Sequence, residues 1–510
     1  MTRQILIDLT PEEYADAAVV RRRAGAAADE PLRITRRTLD CRRRNIVYHC
    51  TVEVGGEENL INQSIQNVLN IRSLTSEAPR VLIVGAGPAG LFAALRCLQR
   101  GLRPIIVERG KPVEERKRDI ARITREKYVD PDSNWCFGEG GAGTYSDGKL
   151  YTRSTKRGDV SEVLRAFVAC GADPDIMLDA HAHIGTDRLS GIIASMRSHI
   201  EAAGGEYHFH TRVEDIVVAD GTVRGIVDQH GNCIEGQAVI LATGHSARDI
   251  YALFHRRGWL LEAKPFALGV RVEHPQALIN EIQYHGKNHS PLLPPAAYSL
   301  TTQAAGHGVF SFCMCPGGVI VPAATAGGQQ VVNGMSNSRR NSPFANSGIA
   351  VTVAPEDVGS NDPLALLHFQ QQVEAATFHA AGDCIDAPTQ RLADFLKRRP
   401  STTLGRSGYM GQTVSAPLHE LLPPFVVESL IQGFRDFDRK MHGFITAEAQ
   451  LLAVESRTSS PVRIPRDRDT LQHPQIKRLF PCGEGAGYAG GIVSSALDGI
   501  RCAEAISLQM

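Results

Sequence analysis

No CxxC pair occurs anywhere in the 510-residue chain, although it holds eleven cysteines. The number is odd and the spacings irregular, which fits reduced thiols in a cytosolic protein and excludes a disulfide framework. Cys313-Met314-Cys315 is too short a spacing, with no second pair nearby, to be a metal site, and none is expected elsewhere. Charge of one sign is lacking too. The 55 Lys and Arg balance 55 Asp and Glu, which favours neither nucleic acid nor an acidic membrane surface. The longest apolar stretch, residues 81–95, is too short and too glycine-rich to span a bilayer. The N-terminus lacks the apolar core of a signal peptide, and Asp8, Glu12, Glu13 and Asp16 argue against a transit peptide. A cytoplasmic location and no membrane partner are therefore expected. There is no internal repeat and no long low-complexity tract. With 43% hydrophobic and 22% charged residues, the composition is that of an ordinary globular protein of two or three domains.

Against these absences one stretch stands out. Val81-Leu82-Ile83-Val84 reads as a buried parallel strand, and Gly85-Ala86-Gly87-Pro88-Ala89-Gly90 opens a helix directly after it. Gly85 permits the tight turn, Gly87 lets a pyrophosphate approach the backbone, and Gly90 lets the helix pack close to the strand. The helix start offers free N–H groups and the positive end of its dipole to a diphosphate. A second strand, Pro104-Ile105-Ile106-Val107, ends in Glu108, 23 positions after Gly85 and followed by Arg109. A carboxylate there accepts from a ribose 2′-OH and repels a 2′-phosphate. No second GxGxxG unit follows, so a nicotinamide nucleotide, if used, binds only transiently.

Three further glycine-rich segments carry the same theme. Residues 137–150 hold Gly138, Gly140, Gly141, Gly143 and Gly148 beside Thr144, Ser146, Asp147 and Lys149, a composition unfit for helix or strand. Ala238–Ala242 reads as a strand ending in Thr243-Gly244, and Leu479–Ala496 as a strand, an acid-bearing glycine loop (Gly483, Glu484, Gly490, Gly491) and a helix from Ile492. Ahead of the first unit, residues 4–9 and 45–54 read as strands and Thr10-Pro11-Glu12-Glu13 as a helix start. Strands are also expected over 207–210, 213–218 and 223–227, the last two joined at an Asp220-Gly221 turn. Beyond 260 the chain is mixed, with strands near 266–273 and 308–322 and helices near 363–380 and 425–440. Residues 333–348, rich in Asn, Ser and Gly, read as an ordered loop or lid.

Together these motifs resemble the glutathione-reductase-like FAD fold, and more narrowly a bacterial family of uncharacterised FAD-dependent dehydrogenases. The resemblance rests on 137–150 (FGEGGAGTYSDGKL), Cys315-Pro316-Gly317-Gly318, Asn333-Gly334-Met335-Ser336, Arg457–Arg463 (RTSSPVR) and 482–499. It covers nearly the whole chain. It implies an α/β, Rossmann-like FAD-binding domain with an inserted mixed α+β substrate domain and a small N-terminal α+β domain. The expected boundaries are 1–77 for the N-terminal domain, 78–259 and 456–510 for the two parts of the FAD domain, and 260–455 for the substrate domain. It places FAD against Gly85, Gly87, Pro88, Ala89, Gly90, Glu108, Arg109, Gly140, Gly141, Gly143, Thr144, Ser146, Thr243, Gly244, Gly483, Glu484, Gly490, Gly491 and Ile492. Glu484 stands where many proteins of the wider fold carry Asp. The implied function is FAD-dependent oxidoreduction, a hydride passing between flavin N5 and an organic small molecule.

For catalysis the sequence offers Lys149, Asp147, His245 and Arg457. Lys149 and Arg457, with Arg463, suit an anionic substrate, and His245 an acid/base role. Against these stand structural readings: Asp147 and Lys149 bracing their loop, and the arginines lying at a domain interface. Cys136 and Cys482 read as small buried thiols before redox groups. Two other functions stay open. One is a flavin monooxygenase or halogenase. The other is an FAD-dependent RNA-modifying protein gripping nucleic acid through Arg21–Arg23, Arg36-Arg37 and Arg42–Arg44. Seven acids among the first fifty residues offset ten arginines, which favours a solvated face and no nucleic-acid partner.

Overall fold

The computed structural model describes residues 2–55, 59–152, 158–286 and 289–510. Its apolar runs form a five-stranded, all-parallel sheet in the order Leu479–Pro481, Ala238–Leu241, Arg80–Val84, Arg103–Val107, Glu206–His208. Alternate residues of each strand feed two different cores, as a sheet covered on both faces requires. Val81, Ile83, Ile106 and Ile240 pack under the helices Pro88–Gln99 and Ile492–Ser507. Leu82, Val84, Ile105 and Val239 pack against the meander Val213–Ala219, Thr222–Asp228, Cys233–Glu235 and the helix Arg248–Arg256. The two long helices cross closely, because a Cβ on Gly499 would lie 2.0 Å from the Ala89 carbonyl oxygen. That crossing holds both helix starts at one edge of the sheet.

The inserted region forms a seven-stranded sheet in the order Thr301–Ala304, His307–Cys315, Phe344–Val353, Phe266–Pro275, Gln450–Glu455, Ala387–Arg391, Thr413–Ser415. Only the last pair is parallel. The helices Ala365–Ala380 and Pro424–Lys440 match the expected ones. The chain crosses between the two regions where Glu262–Ala263 pairs with Val462–Arg463.

Residues 333–348 form a loop only over 336–343. Val332–Met335 pairs with Val319–Pro322, and Phe344–Val353 is a central strand. Two of the polar residues that suggested a loop turn inward instead: Asn346 Oδ1 accepts from Arg271 Nη1 at 2.6 Å and Asn333 Oδ1 from Nη2 at 3.2 Å. The segment expected as one strand near 308–322 is likewise two, His307–Cys315 and Val319–Pro322, parted by a turn with Gly317 at φ +50°.

The N-terminal unit is a three-stranded antiparallel sheet with one strand the sequence concealed, Leu32–Asp40, in the order Arg3–Leu9, Val47–Val54, Leu32–Asp40. Its arginines make it look like a charge run. In the fold Arg33 pairs with Glu53 across the strands (2.9 Å), Arg3 with Glu30, and Arg37 reaches Asp179 and Asp175 outside the unit. Thr10 and Glu13 close a reciprocal capping box on the helix Pro11–Ala15. Among the described residues no helix is long and apolar enough to cross a membrane.

Candidate functional site

Both helix starts, the 137–150 loop and one edge of the inserted sheet enclose a cleft of about 350 Å³. Gly85 turns at φ +107°, and a Cβ there would lie 2.4 Å from the Ala242 carbonyl oxygen, so the turn is closed to side chains. A Cβ on Gly141 would lie 3.1 Å from the Gly87 Cα, so bare backbone faces bare backbone at the mouth of the helix Pro88–Gln99. Pro88 has no N–H and Leu91 N–H bonds Gly87, which leaves Ala89 and Gly90 as the donors of the first turn. Glu108 is buried and accepts three backbone N–H bonds, from Ala86 (2.9 Å), Gly110 (2.9 Å) and Gly138 (3.0 Å). A carboxylate has roughly four acceptor positions, so one stays available on the cleft wall.

The far end is built by Glu484 and the helix Ile492–Ser507. Glu484 Oε1 accepts from the Gly491 N–H at 2.7 Å, and its Oε2 lies 3.2 Å from His245 Nδ1. Burial opposes charge on Glu484, yet His245, the Gly491 N–H and Lys264 together hold its carboxyl below the ordinary value. An ionised Glu484 takes the Nδ1–H of His245 and thereby fixes the tautomer. His245 Nε2, buried and without a protein partner, is then a free lone pair on a residue of the cleft wall. The Gly490 N–H is spent on Ser494 Oγ (3.0 Å), as that of Gly491 is on Glu484, so the helix start presents Ile492 and Val493 rather than the two glycines.

Of the residues expected at a cofactor, Gly85, Gly87, Pro88, Ala89, Glu108, Arg109, Gly141, Gly143, Ser146, Thr243, Gly244, Gly483, Glu484, Gly490, Gly491 and Ile492 line the cleft. Three lie behind it. Gly90 backs onto the Gly85 carbonyl, where a Cβ would come within 1.9 Å. Gly140 turns at φ +78° beneath Thr144, and the Thr144 hydroxyl donates to the Glu139 carbonyl at 2.8 Å.

The four catalytic candidates separate in the same way. His245, Lys149 and Arg457 line the cleft and Asp147 does not. Asp147 is buried between Arg340 (3.1 Å) and Lys149 (3.6 Å) and braces them. Arg457 is tied into the protein: it holds both oxygens of buried Glu374 (2.8 and 3.1 Å) and the Ser246 hydroxyl (2.8 Å). Glu374 also takes Arg248, so this cluster clamps the helix Ala365–Ala380 to the parallel-sheet region. Arg463 lies away from the cleft against Glu262 and Tyr488. Phe312 and Cys313 line the cleft from the inserted sheet. Cys313 had been set aside for want of metal-ligand spacing; the strand bulge between Phe312 and Cys315, which exposes it, leaves no mark in the sequence. Cys482, Asp498 and Cys502 converge within 4.8 Å, but Arg466 already supplies the positive charge there, donating to both Asp498 oxygens (2.6 and 2.9 Å).

The cleft suits a dinucleotide: a cradle that any Cβ would fill, two helix starts for phosphate and carbonyl oxygens, a spare carboxylate position and an orphaned imidazole nitrogen. The family described as "FAD-dependent protein, C-terminal domain-like" matches residues 265–458, and that described as "FAD binding domain" matches 80–116. An "uncharacterized protein" of Clostridium beijerinckii is 41% identical over 492 residues, 93% of this chain and 92% of that one. A digeranylgeranylglycerophospholipid reductase of Methanosarcina acetivorans is 23% identical over 148 residues, 28% of this chain and 32% of that protein. Among solved structures, CtdE in complex with FAD aligns at a TM-score of 0.34 and 11% identity over 85% of each chain, too weak a likeness to bear on function. The glycine cradle and the match of almost the whole chain lead to one conclusion: this chain belongs to the FAD-dependent protein family and is a flavoprotein with FAD as its cofactor.

Proposed function

We propose that the chain is a dehydrogenase-type oxidoreductase whose FAD would be held, in the glutathione-reductase-like manner, by residues from Glu108 to Ile492. The observation that carries this reading is the Glu484–His245 pair with its unpartnered Nε2 on the cleft wall. When bound, FAD supplies a two-electron hydride acceptor at N5. His245 Nε2 takes the proton that an alcohol or amine group of the substrate releases as its C–H bond is broken. Glu484 stabilises the imidazolium that forms. Phe312 of the inserted sheet lines the cleft and would limit water at the reacting centre. The start of the helix Ile492–Ser507 would offer positive potential to the negative charge of a reduced flavin.

The test uses purified holoprotein, titrated under argon with NADH, with NADPH, and with a panel of 2-hydroxy acids, amino acids and small alcohols. The expected result is a flavin spectrum that resists both nucleotides and bleaches with a member of the organic panel. His245→Gln keeps its flavin and loses about 10²- to 10⁴-fold in bleaching rate. Bleaching by NADH or NADPH, followed by oxygen uptake that substrate stimulates, would overturn this reading in favour of a monooxygenase.

A further inference from the structure

The cleft wall opposite the glycine loops carries a feature that hydride transfer does not use. Lys149 Nζ lies 3.6 Å from Cys313 Sγ and 3.8 Å from Cys315 Sγ. The two cysteines flank a bulge in the strand His307–Cys315, where the register against Phe344–Val353 slips between Phe312 and Cys315. Cys313 sits at φ +45°, the left-handed region that a side-chain-bearing residue rarely occupies. Strain of that kind persists only where the surroundings enforce it. Here Arg271 Nη1 and the Cys315 thiol both donate to the Cys313 carbonyl, at 3.4 and 3.2 Å. The left-handed turn shortens the path between the two cysteines and brings both sulfurs to one ammonium. Cys313 is half-buried on the cleft wall, and Cys315 is fully buried behind it.

The charges around the pair are unequal. The neighbouring Cys315 thiol, with Lys149 and Arg271 nearby, holds the Cys313 thiol well below its ordinary range against the opposing effects of burial and Asp147. Cys315, buried beside it, is pushed well above its own. Cys313, half-buried on the cleft wall, is the sulfur a ligand can reach, and Cys315, buried behind it, is the reserve, the division of labour of an attacking and a resolving thiol.

We propose that Cys313 and Cys315 form a redox dithiol that exchanges with a low-molecular-weight disulfide in the cleft. The Cys313 thiolate attacks one sulfur of the disulfide, forming a mixed disulfide and releasing the other half as a thiolate. Cys315 then gives up its proton and attacks Cys313 Sγ, which forms the Cys313–Cys315 disulfide and releases the second half. Overall one small disulfide and one protein dithiol become two small thiols and one protein disulfide. Turnover needs two electrons and two protons from reduced FAD in the same cleft, so the inference rests on the flavin reading and gives the oxidoreductase its electron acceptor. The spacing is not CxxC; the bulge supplies by backbone geometry what that spacing supplies on a helix.

The experiment mixes FAD-loaded protein with glutathione disulfide under argon, counts glutathione released per chain, and maps cysteines by peptide mass. The flavin content of the same sample tells failure of the flavin reading from failure of the dithiol. The expected result is two glutathiones released per chain and a peptide carrying a Cys313–Cys315 disulfide. Cys315→Ser stops at one glutathione released, with the other held on Cys313. Cys313→Ser leaves only the slow reaction of exposed cysteines such as Cys233. In wild-type protein, iodoacetamide at neutral pH modifies Cys313 at least about tenfold faster than Cys233. A Cys313 no more reactive than Cys233, or a wild-type reaction that stops at the mixed disulfide, overturns the proposal, and neither result depends on a variant folding.

Discussion

The parallel-sheet region and the inserted seven-stranded sheet solve the same burial problem with opposite chemistry. Residues 81–84 and 238–241 are apolar throughout and dry, and polar groups enter only at the strand ends, where the cofactor loops begin. The inserted sheet buries charge in mid-strand: Arg271 is fully enclosed, bonded to Glu455 at 2.7 Å and to Asn346 at 2.6 Å, with Glu273 and His274 beside it. The first region needs a rigid scaffold that leaves backbone bare for a ligand. The second lines the cleft with side chains, and its buried ion pair fixes the strand that carries Cys313, since Arg271 also holds the Cys313 carbonyl.

The largest effect is expected in the glycine cradle. Gly90→Val places carbon where the Gly85 carbonyl oxygen already is, and neither backbone can withdraw. Soluble protein with stoichiometric flavin should not be recovered, as absorbance after purification will show. A fully loaded Gly90→Val protein would break the claim that this region tolerates no side chain. Next in size is the inserted sheet. Arg271→Met strands the Glu455 charge and should cost roughly 3–5 kcal/mol in urea unfolding, whereas Arg271→Met with Glu455→Leu should recover most of that loss. If the double variant is no more stable than the single one, the buried pair is not the unit of stability there.

The smallest effect sharpens the comparison, because each region has a glutamate with an unpartnered buried oxygen. Glu139 lies under the glycine loop and Glu273 in the inserted sheet, and burial pushes both up to about 7. Between pH 4.5 and 7 the folded chain keeps protons that the unfolded chain has released, so stability falls as pH rises across that window. Glu273→Gln should remove on the order of 1–3 kcal/mol of that slope in unfolding curves measured at pH 5 and pH 7. Glu139→Gln should remove a similar amount, because its carboxyl sits equally high even with Arg197 at 3.1 Å offsetting part of the charge. A much smaller slope change for Glu139→Gln would mean that Arg197 outweighs burial there.

By itself the sequence determined the strand–glycine–helix unit at 81–95, the acid at 108 and the second glycine loop at 483–491. Their constraints are local: an absent Cβ, a helix start and an all-apolar strand mean the same thing in any surroundings. It also yielded the capped first helix and the hairpin turn at Asp220-Gly221, again by short-range rules. Only the tertiary structure decided that Asn333 and Asn346 face a buried guanidinium instead of solvent, and that Leu32–Asp40 is a strand whose arginines are paired. It alone showed Arg457 as a clamp, and His245 held by Glu484 with one nitrogen free. The Lys149–Cys313 contact joins residues 164 positions apart. Such pairings leave no periodicity, because a charge or thiol acquires its role from partners that the chain brings together only on folding.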